Sequence, residues 1–225
     1  MKYLPSTQIF IAASLTVLLA ACANDPTVDT REQARTDAGL YPVEGTSMDQ
    51  VFVDIEADFK DYQQLYVVGL DTSVVEVDYD ADVREWRSRD WQLTDKDKQG
   101  LKTMFEKAVN SEFEVSGVTL TDQPAAGVLV VEPTLKKLEP VAPKDNFSDR
   151  NPSNRYYSEG AGKVTLEFVF KDGASGKVIA TAIDRRDAGT EWRENSAIHN
   201  RWEIQRLFNR WVSMMDRSLE RVQKL

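Results

Sequence analysis

Val164, Leu166, Phe168 and Phe170 alternate with Thr165, Glu167 and Lys171. A period of two puts the apolar set on one face of an extended strand and the polar set on the other. Turn chemistry follows in Asp172-Gly173-Ala174-Ser175-Gly176, and Val178 to Ile183 returns, so this segment predicts a β-hairpin. Leu65 to Leu70 is a continuous apolar run, as in a strand covered on both faces. Val75, Val77 and Tyr79 alternate with Glu76, Asp78 and Asp80, which suits a half-exposed strand. Gly127 to Leu138 reads as a further strand with Val128 to Val131 buried. Pro133 donates no ladder hydrogen bond and so marks an edge, a bulge or a break there. Glu139 to Gly162 carries three prolines and many Asn, Ser and Asp, and is expected to be a long loop.

Two segments have helical period instead. Thr94 can cap a helix running to about Glu112, with Asp95 and Asp97 at the positive end of its dipole. Leu101, Met104, Phe105, Ala108 and Val109 form its apolar stripe. In Asn200 to Val222, the residues Ile204, Leu207, Phe208, Trp211, Met215, Leu219 and Val222 share about one third of the helix circumference. Arg206, Arg210, Arg217, Arg221 and Lys224 group on the other side. The expected fold class is α+β, a mostly antiparallel sheet with two main helices packed on one face. Parallel crossovers remain open around the first helix.

The start of the chain differs from the rest. Lys2 precedes an apolar run from Ile9 to Ala20, shorter than the about 20 residues a spanning helix needs. It suits the apolar region of a cleaved signal, residues 1–21. Leu19-Ala20-Ala21-Cys22 then resembles the lipobox of bacterial lipoprotein precursors, which implies acylation of Cys22 and a membrane anchor. Ala23, where an Asp would resemble inner-membrane sorting, implies the outer membrane, with the domain facing the periplasm. Residues 22–48 are expected to be a lipidated, flexible tether, and residues 49–225 a single domain. Cys22 is the one cysteine, so no intrachain disulfide forms.

The net charge is −9, and the acidity sits early: residues 22–92 hold 17 acidic and 6 basic side chains, against 20 and 21 in residues 93–225. An acidic chain argues against nucleic acid as a partner.

Asp58-Phe59-Lys60-Asp61-Tyr62 leads into Leu65 to Leu70, and Leu93-Thr94-Asp95 opens the first helix. The strand Gly162 to Phe170, Gly176-Lys177 in the hairpin, Asp184-Arg185-Arg186 and the helix from Trp202 follow. In this order, from Asp58 to Val222, the chain resembles an uncharacterised bacterial lipoprotein family, domain of unknown function 3313. The resemblance implies a periplasm-facing lipoprotein without an assigned activity, and it carries over no catalytic residue.

Candidate chemistry is sparse. His199 is the one histidine, so a Ser-His-Asp triad would need it. Asp78-x-Asp80-x-Asp82 fails as an EF-hand loop at Val83 and Arg89. Asp95-x-Asp97-x-Gln99-Gly100 with Glu106 fits a calcium loop better, although a capped helix explains the same residues. No acid pair stands out by spacing, and no metal or cofactor is expected. Arg84, Trp86, Arg87, Arg89 and Trp91 cluster as interface residue types do, and Trp192-Arg193 is a smaller cluster. The candidate interface is Arg84, Trp86, Arg87, Arg89 and Trp91 together with Arg206 and Arg210. The expected role is a non-catalytic lipoprotein that binds or scaffolds an envelope partner. The alternatives are a binder of lipid or peptidoglycan fragments and, third, a carboxylate-dependent hydrolase.

Overall fold

The computed structural model describes residues 26–78, 93–141 and 157–224. Eleven strands are present among them: β1 (Thr27–Val28), β2 (Tyr41–Glu44), β3 (Gln50–Val53), β4 (Gln64–Val67), β5 (Glu76–Val77), β6 (Thr119–Leu120), β7 (Val128–Pro140), β8 (Tyr157–Glu159), β9 (Gly162–Asp172), β10 (Val178–Asp187) and β11 (Trp192–Glu194). Helix α1 (Asp95–Ser116) lies between β5 and β6, and α2 (Ala197–Lys224) follows β11. Nine strands form one sheet in the order β1-β2-β3-β10-β9-β7-β4-β6, with β5 also on β7. β8 and β11 form a separate ribbon.

From β1 to β7 along this order every pairing is antiparallel. β4, β5 and β6 are parallel to their neighbours. The parallel part follows from connectivity, because β4 reaches β6 and β7 through α1, and a helical crossover returns the chain in the same direction. The fold is α+β with both helices on one face of the sheet.

The period-two pattern supplies that face. Val164, Leu166, Phe168 and Phe170 of β9 are buried against α1 and α2, with Leu65, Leu129, Val131 and Leu135 beside them. α1 contributes Leu101, Phe105, Ala108, Val109 and Phe113. α2 contributes Leu207, Phe208, Trp211, Val212, Met214 and Met215. Phe105 meets Phe208 edge-on, with centroids 5.5 Å apart. The opposite face of the sheet carries cross-strand ion pairs, among them Lys171–Glu132 and Lys136–Glu167.

Thr94 caps α1 in a full capping box with Asp97. The helix begins at Asp95, so Asp95 to Glu106 is helical and does not wrap an ion as a calcium loop does. Pro133 sits inside β7 between two neighbours, not at an edge. Its carbonyl accepts from the Asp71 amide at 2.9 Å, so its ring nitrogen faces the same side, where β4 has ended and no donor is required.

Two expectations are corrected. The tether does not extend to Met48. β1 and β2 occupy that span, and Leu40, Tyr41 and Met48 are buried. The polar, aperiodic surroundings hid Leu40 and Tyr41, at the sheet's first edge, and Met48, which joins the main core. The long loop is also shorter at both ends, because β7 continues to Pro140 and β8 starts at Tyr157.

Candidate functional site

Polar and aromatic side chains gather at the end of the sheet where β9 begins and β10 finishes. Asp184 of β10 is fully buried. Its carboxylate accepts from Trp211 Nε1 at 2.6 Å, from the Asp49 amide at 3.0 Å and from the Arg186 guanidinium. Arg186 also donates to the Ser47 carbonyl, and Asp49 accepts from the Arg185 amide at 2.9 Å. One carboxylate thus ties α2, the entry to β3 and the end of β10 together. A buried charge is tolerated because each donor around it is matched.

Beyond Asp187 the hairpin kinks into the β8–β11 ribbon. Gly160 and Gly189 make the kink possible. Both have positive φ, and a Cβ on Gly160 would lie 2.1 Å from the Gly189 carbonyl oxygen. A Cβ on Gly189 would meet the Glu203 carboxyl at 2.6 Å, so α2 presses directly on the kink. Asn195 donates to Ser158 Oγ at 2.9 Å, Ser158 to the Gly160 carbonyl at 2.7 Å, and Asn200 to Asn195 Oδ1 at 3.1 Å. These bonds clamp the ribbon to the first turn of α2.

Large side chains remain uncovered here. Trp192 is 72% exposed, Ile198 78%, Tyr157 49% and Trp202 47%. Arg193 and Arg206 lie over the Trp202 ring at 5.4 and 4.5 Å from its centroid, a cation–π arrangement. Glu191 pairs with Arg193, which holds the Glu191 carboxyl below the usual carboxylate range. Trp192 and Arg193 alternate on β11, so they face opposite sides of the ribbon.

From Trp202 onward the outer face of α2 is basic. Arg206, Arg210, Arg217 and Arg221 fall within about 60° of the circumference over about 22 Å of helix. All four are exposed. Arg206 is 3.8 Å from Glu203, and Arg217 donates to the Ser213 carbonyl. Among the described residues, Arg210 and Arg221 have no carboxylate at ion-pair distance.

Arg206 and Arg210 are therefore neighbours on one helix face. Cys22 and the cluster Arg84, Trp86, Arg87, Arg89 and Trp91 lie outside the described residues. His199 is exposed and bonds through Nδ1 to the Glu194 carbonyl at 2.9 Å, a position that closes the ribbon onto α2. The sequence marks Trp202 only as the start of a helix and does not single out Ile198. The available signal was two large apolar residues four apart on the polar side of an amphipathic helix.

A cleft of about 280 Å³ lies at the other end of the sheet, lined by Arg35, Tyr41, Asp54, Glu56 and Lys177 among others. Lys177 bonds to Asp54 at 2.6 Å and holds its carboxyl below the usual range. The space between sheet and helices is filled by Trp211, Phe105, Phe113, Phe168 and Phe208. No described helix is long and apolar enough to cross a membrane.

The sequence pattern of the family described as a protein of unknown function (DUF3313) matches residues 31–214. No curated protein matches the chain. Among solved structures, the PelC dodecamer from Paraburkholderia phytofirmans is similar at 11% identity and a TM-score of 0.36, over 69% of this chain and 89% of that one. A minor lipoprotein from Acinetobacter baumannii is similar at 14% identity and a TM-score of 0.29, over 70% of this chain and 94% of that one.

Proposed function

The chain belongs to the DUF3313 family, and we propose that it is a non-catalytic, lipid-anchored protein of the outer membrane that binds an acidic envelope partner from the periplasmic side. The arginine row of α2 carries the reading. Four guanidinia point outward along one line, two of them without a carboxylate at ion-pair distance among the described residues, and Trp202 closes one end of the row. Arg and Trp are the residue types that dominate interface energetics, and a row of like charge steers an oppositely charged partner. The lipobox ending at Cys22 supports the anchor.

Two observations weigh against the other readings. A carboxylate hydrolase needs one acid with a raised pKa beside a second. Asp54 and Glu56 share a cleft, but Lys177 moves Asp54 the opposite way. A lipid carrier needs an apolar cavity, and aromatic side chains occupy the space between sheet and helices.

In-cell photocrosslinking from positions 210 and 217 tests the proposal. The expected result is one discrete protein adduct, lost when Arg206 and Arg221 are both replaced by Glu. Adducts with glycan alone, or a protein adduct indifferent to that charge reversal, would overturn it.

A further inference from the structure

β10 pairs with β3 through Ile183↔Gln50 and Ala180↔Val53, so β3 starts at the end of the sheet toward which β10 runs. β2 is antiparallel to β3, and β1 pairs with β2 through Thr27↔Glu44 and Val28↔Val43. The chain preceding Thr27 therefore leaves the sheet toward the same end as the β8–β11 ribbon and the first turn of α2. Thr27 is five residue steps from Cys22. That is at most ~17 Å of extended chain.

The ribbon lies at that same end, and its contour is longer than the leash. Ile183 pairs with Glu167 in β9, and ten residue steps lead from Glu167 back through the Gly160 kink to Tyr157 of β8. Their contour is ~33 Å before the kink at Gly160 shortens it. A leash of ~17 Å cannot hold the acylated residue clear of a projection of that length. The surface so placed is suited to a bilayer. Trp192, Tyr157, Trp202 and Ile198 are exposed there, and Trp and Tyr favour the boundary between headgroups and acyl chains.

Resting on the reading of Cys22 as the lipid anchor, we propose that the ribbon and the first turn of α2 seat against the bilayer that carries that anchor, with Trp192, Tyr157 and Ile198 in the interface. The anchor then fixes the orientation of the domain as well as its location. The end of the sheet at Ala174 and Val115 points away from the membrane, and the row from Arg210 to Arg221 stands clear of the lipid. The contact is aromatic, not a charge attraction: Glu191 pairs with Arg193, and Glu159 and Glu194 stand on the Trp192 face of the ribbon. It therefore does not require anionic lipid.

Acylated Cys22 leaves no free thiol, so a single introduced cysteine can be labelled uniquely. The full mature lipoprotein would be placed in vesicles of phosphatidylethanolamine and phosphatidylglycerol. It would carry a nitroxide at Trp192→Cys, Ile198→Cys, Val115→Cys or Ala174→Cys, one at a time. All four positions are on the surface, and circular dichroism checks each variant's fold. Labels at 192 and 198 are expected to collide at least several-fold more with oxygen than with a water-soluble nickel relaxer, relative to labels at 115 and 174. The contrast should persist in phosphatidylcholine alone. Equal aqueous exposure at all four sites, with acylated Cys22 confirmed by mass spectrometry, overturns the seat and leaves the anchor standing. An unacylated Cys22 in protein purified from membranes overturns both. Shielding of 192 in cells but not in vesicles assigns the ribbon to a protein and overturns the seat.

Discussion

Asp184, Arg186 and Trp211 repeat the residue types of Glu191, Arg193 and Trp202. Each set is an acid, an arginine two positions on, and a tryptophan of α2. In the first, acid and indole are both fully buried, and the carboxylate takes the indole proton at 2.6 Å. In the second, the acid faces water, and the two guanidinia at the ring are Arg193 and Arg206. The first set holds the sheet, α2 and the entry to β3 in one place. The second leaves aromatic area free for something else to cover. Chemistry alone does not separate them; their depth beneath the surface does.

The comparison breaks most visibly at Asp184. Alanine there would leave the indole donor, the Asp49 amide and Arg186 without their acceptor, with Trp211 still enclosed. Removing one member of a buried charged network costs about 3–5 kcal/mol, and the partial exposure of Arg186 favours the lower end. Asp184→Ala should lower the unfolding free energy by that amount, read as a fall in the urea midpoint at an unchanged slope. A loss under about 1 kcal/mol would mean that water replaces the carboxylate and that the site is not structural.

Gly160→Ala should cost less, about 2 kcal/mol, since it strains a left-handed backbone and pushes against the Gly189 carbonyl. Its sharper effect is local. Amide exchange should rise in Tyr157–Glu159 and Trp192–Glu194 while β7, β9 and β10 keep their protection. Uniform loss across the sheet would show that ribbon and core are one cooperative unit.

The buried set was easier to read from the sequence. Period two in β9 and the apolar stripe of α2 located the core face, Trp211 included, because burial follows periodicity. The hairpin at Asp172–Gly176 was legible from its turn residues. Leu40, Tyr41 and Met48 were not, since isolated apolar residues in a polar stretch have no period, and only the folded sheet and its core give them a place. The exposed aromatic set that Trp202 and Ile198 join was not legible for a related reason. They stand on the polar side of α2, and their meaning comes from β11, which a long-range pairing brings alongside. Arg206 and Arg210 were found because they belong to a stripe on one helix, which is local information.

Asp216 sharpens the contrast from inside the core. It is buried where α2 meets the end of α1, facing Ser116, Glu112, Glu220 and Arg217, and its Oδ1 has no partner among the described residues. Burial raises its pKa. The folded chain therefore holds this proton at a pH where the unfolded chain has lost it. The native state is favoured most below the unfolded carboxylate range, and that advantage is lost as pH rises through the folded value. Asp216→Asn should raise the melting temperature at pH 7, with the gain vanishing in acid. Destabilisation at pH 7 would show that the carboxylate is satisfied after all.

The smallest effect is expected at Glu191, and it is the most telling about the exposed set. Its carboxyl is held below the usual range by the Arg193 hydrogen bond, so any stabilisation exists above the unfolded carboxylate range and fades as pH falls through the lowered value. The pair lies in solvent, where salt and water screen it and long side chains lose freedom in making it. Glu191→Ala should therefore leave the urea midpoint within experimental scatter at low and high salt. Arg193 can still cover the Trp202 ring without its acid, since the cation–π contact needs the guanidinium alone. A large loss of stability would mean that the exposed set braces the fold as Asp184 does. It would then be a second structural latch, and the uncovered aromatic area at this end would need another explanation.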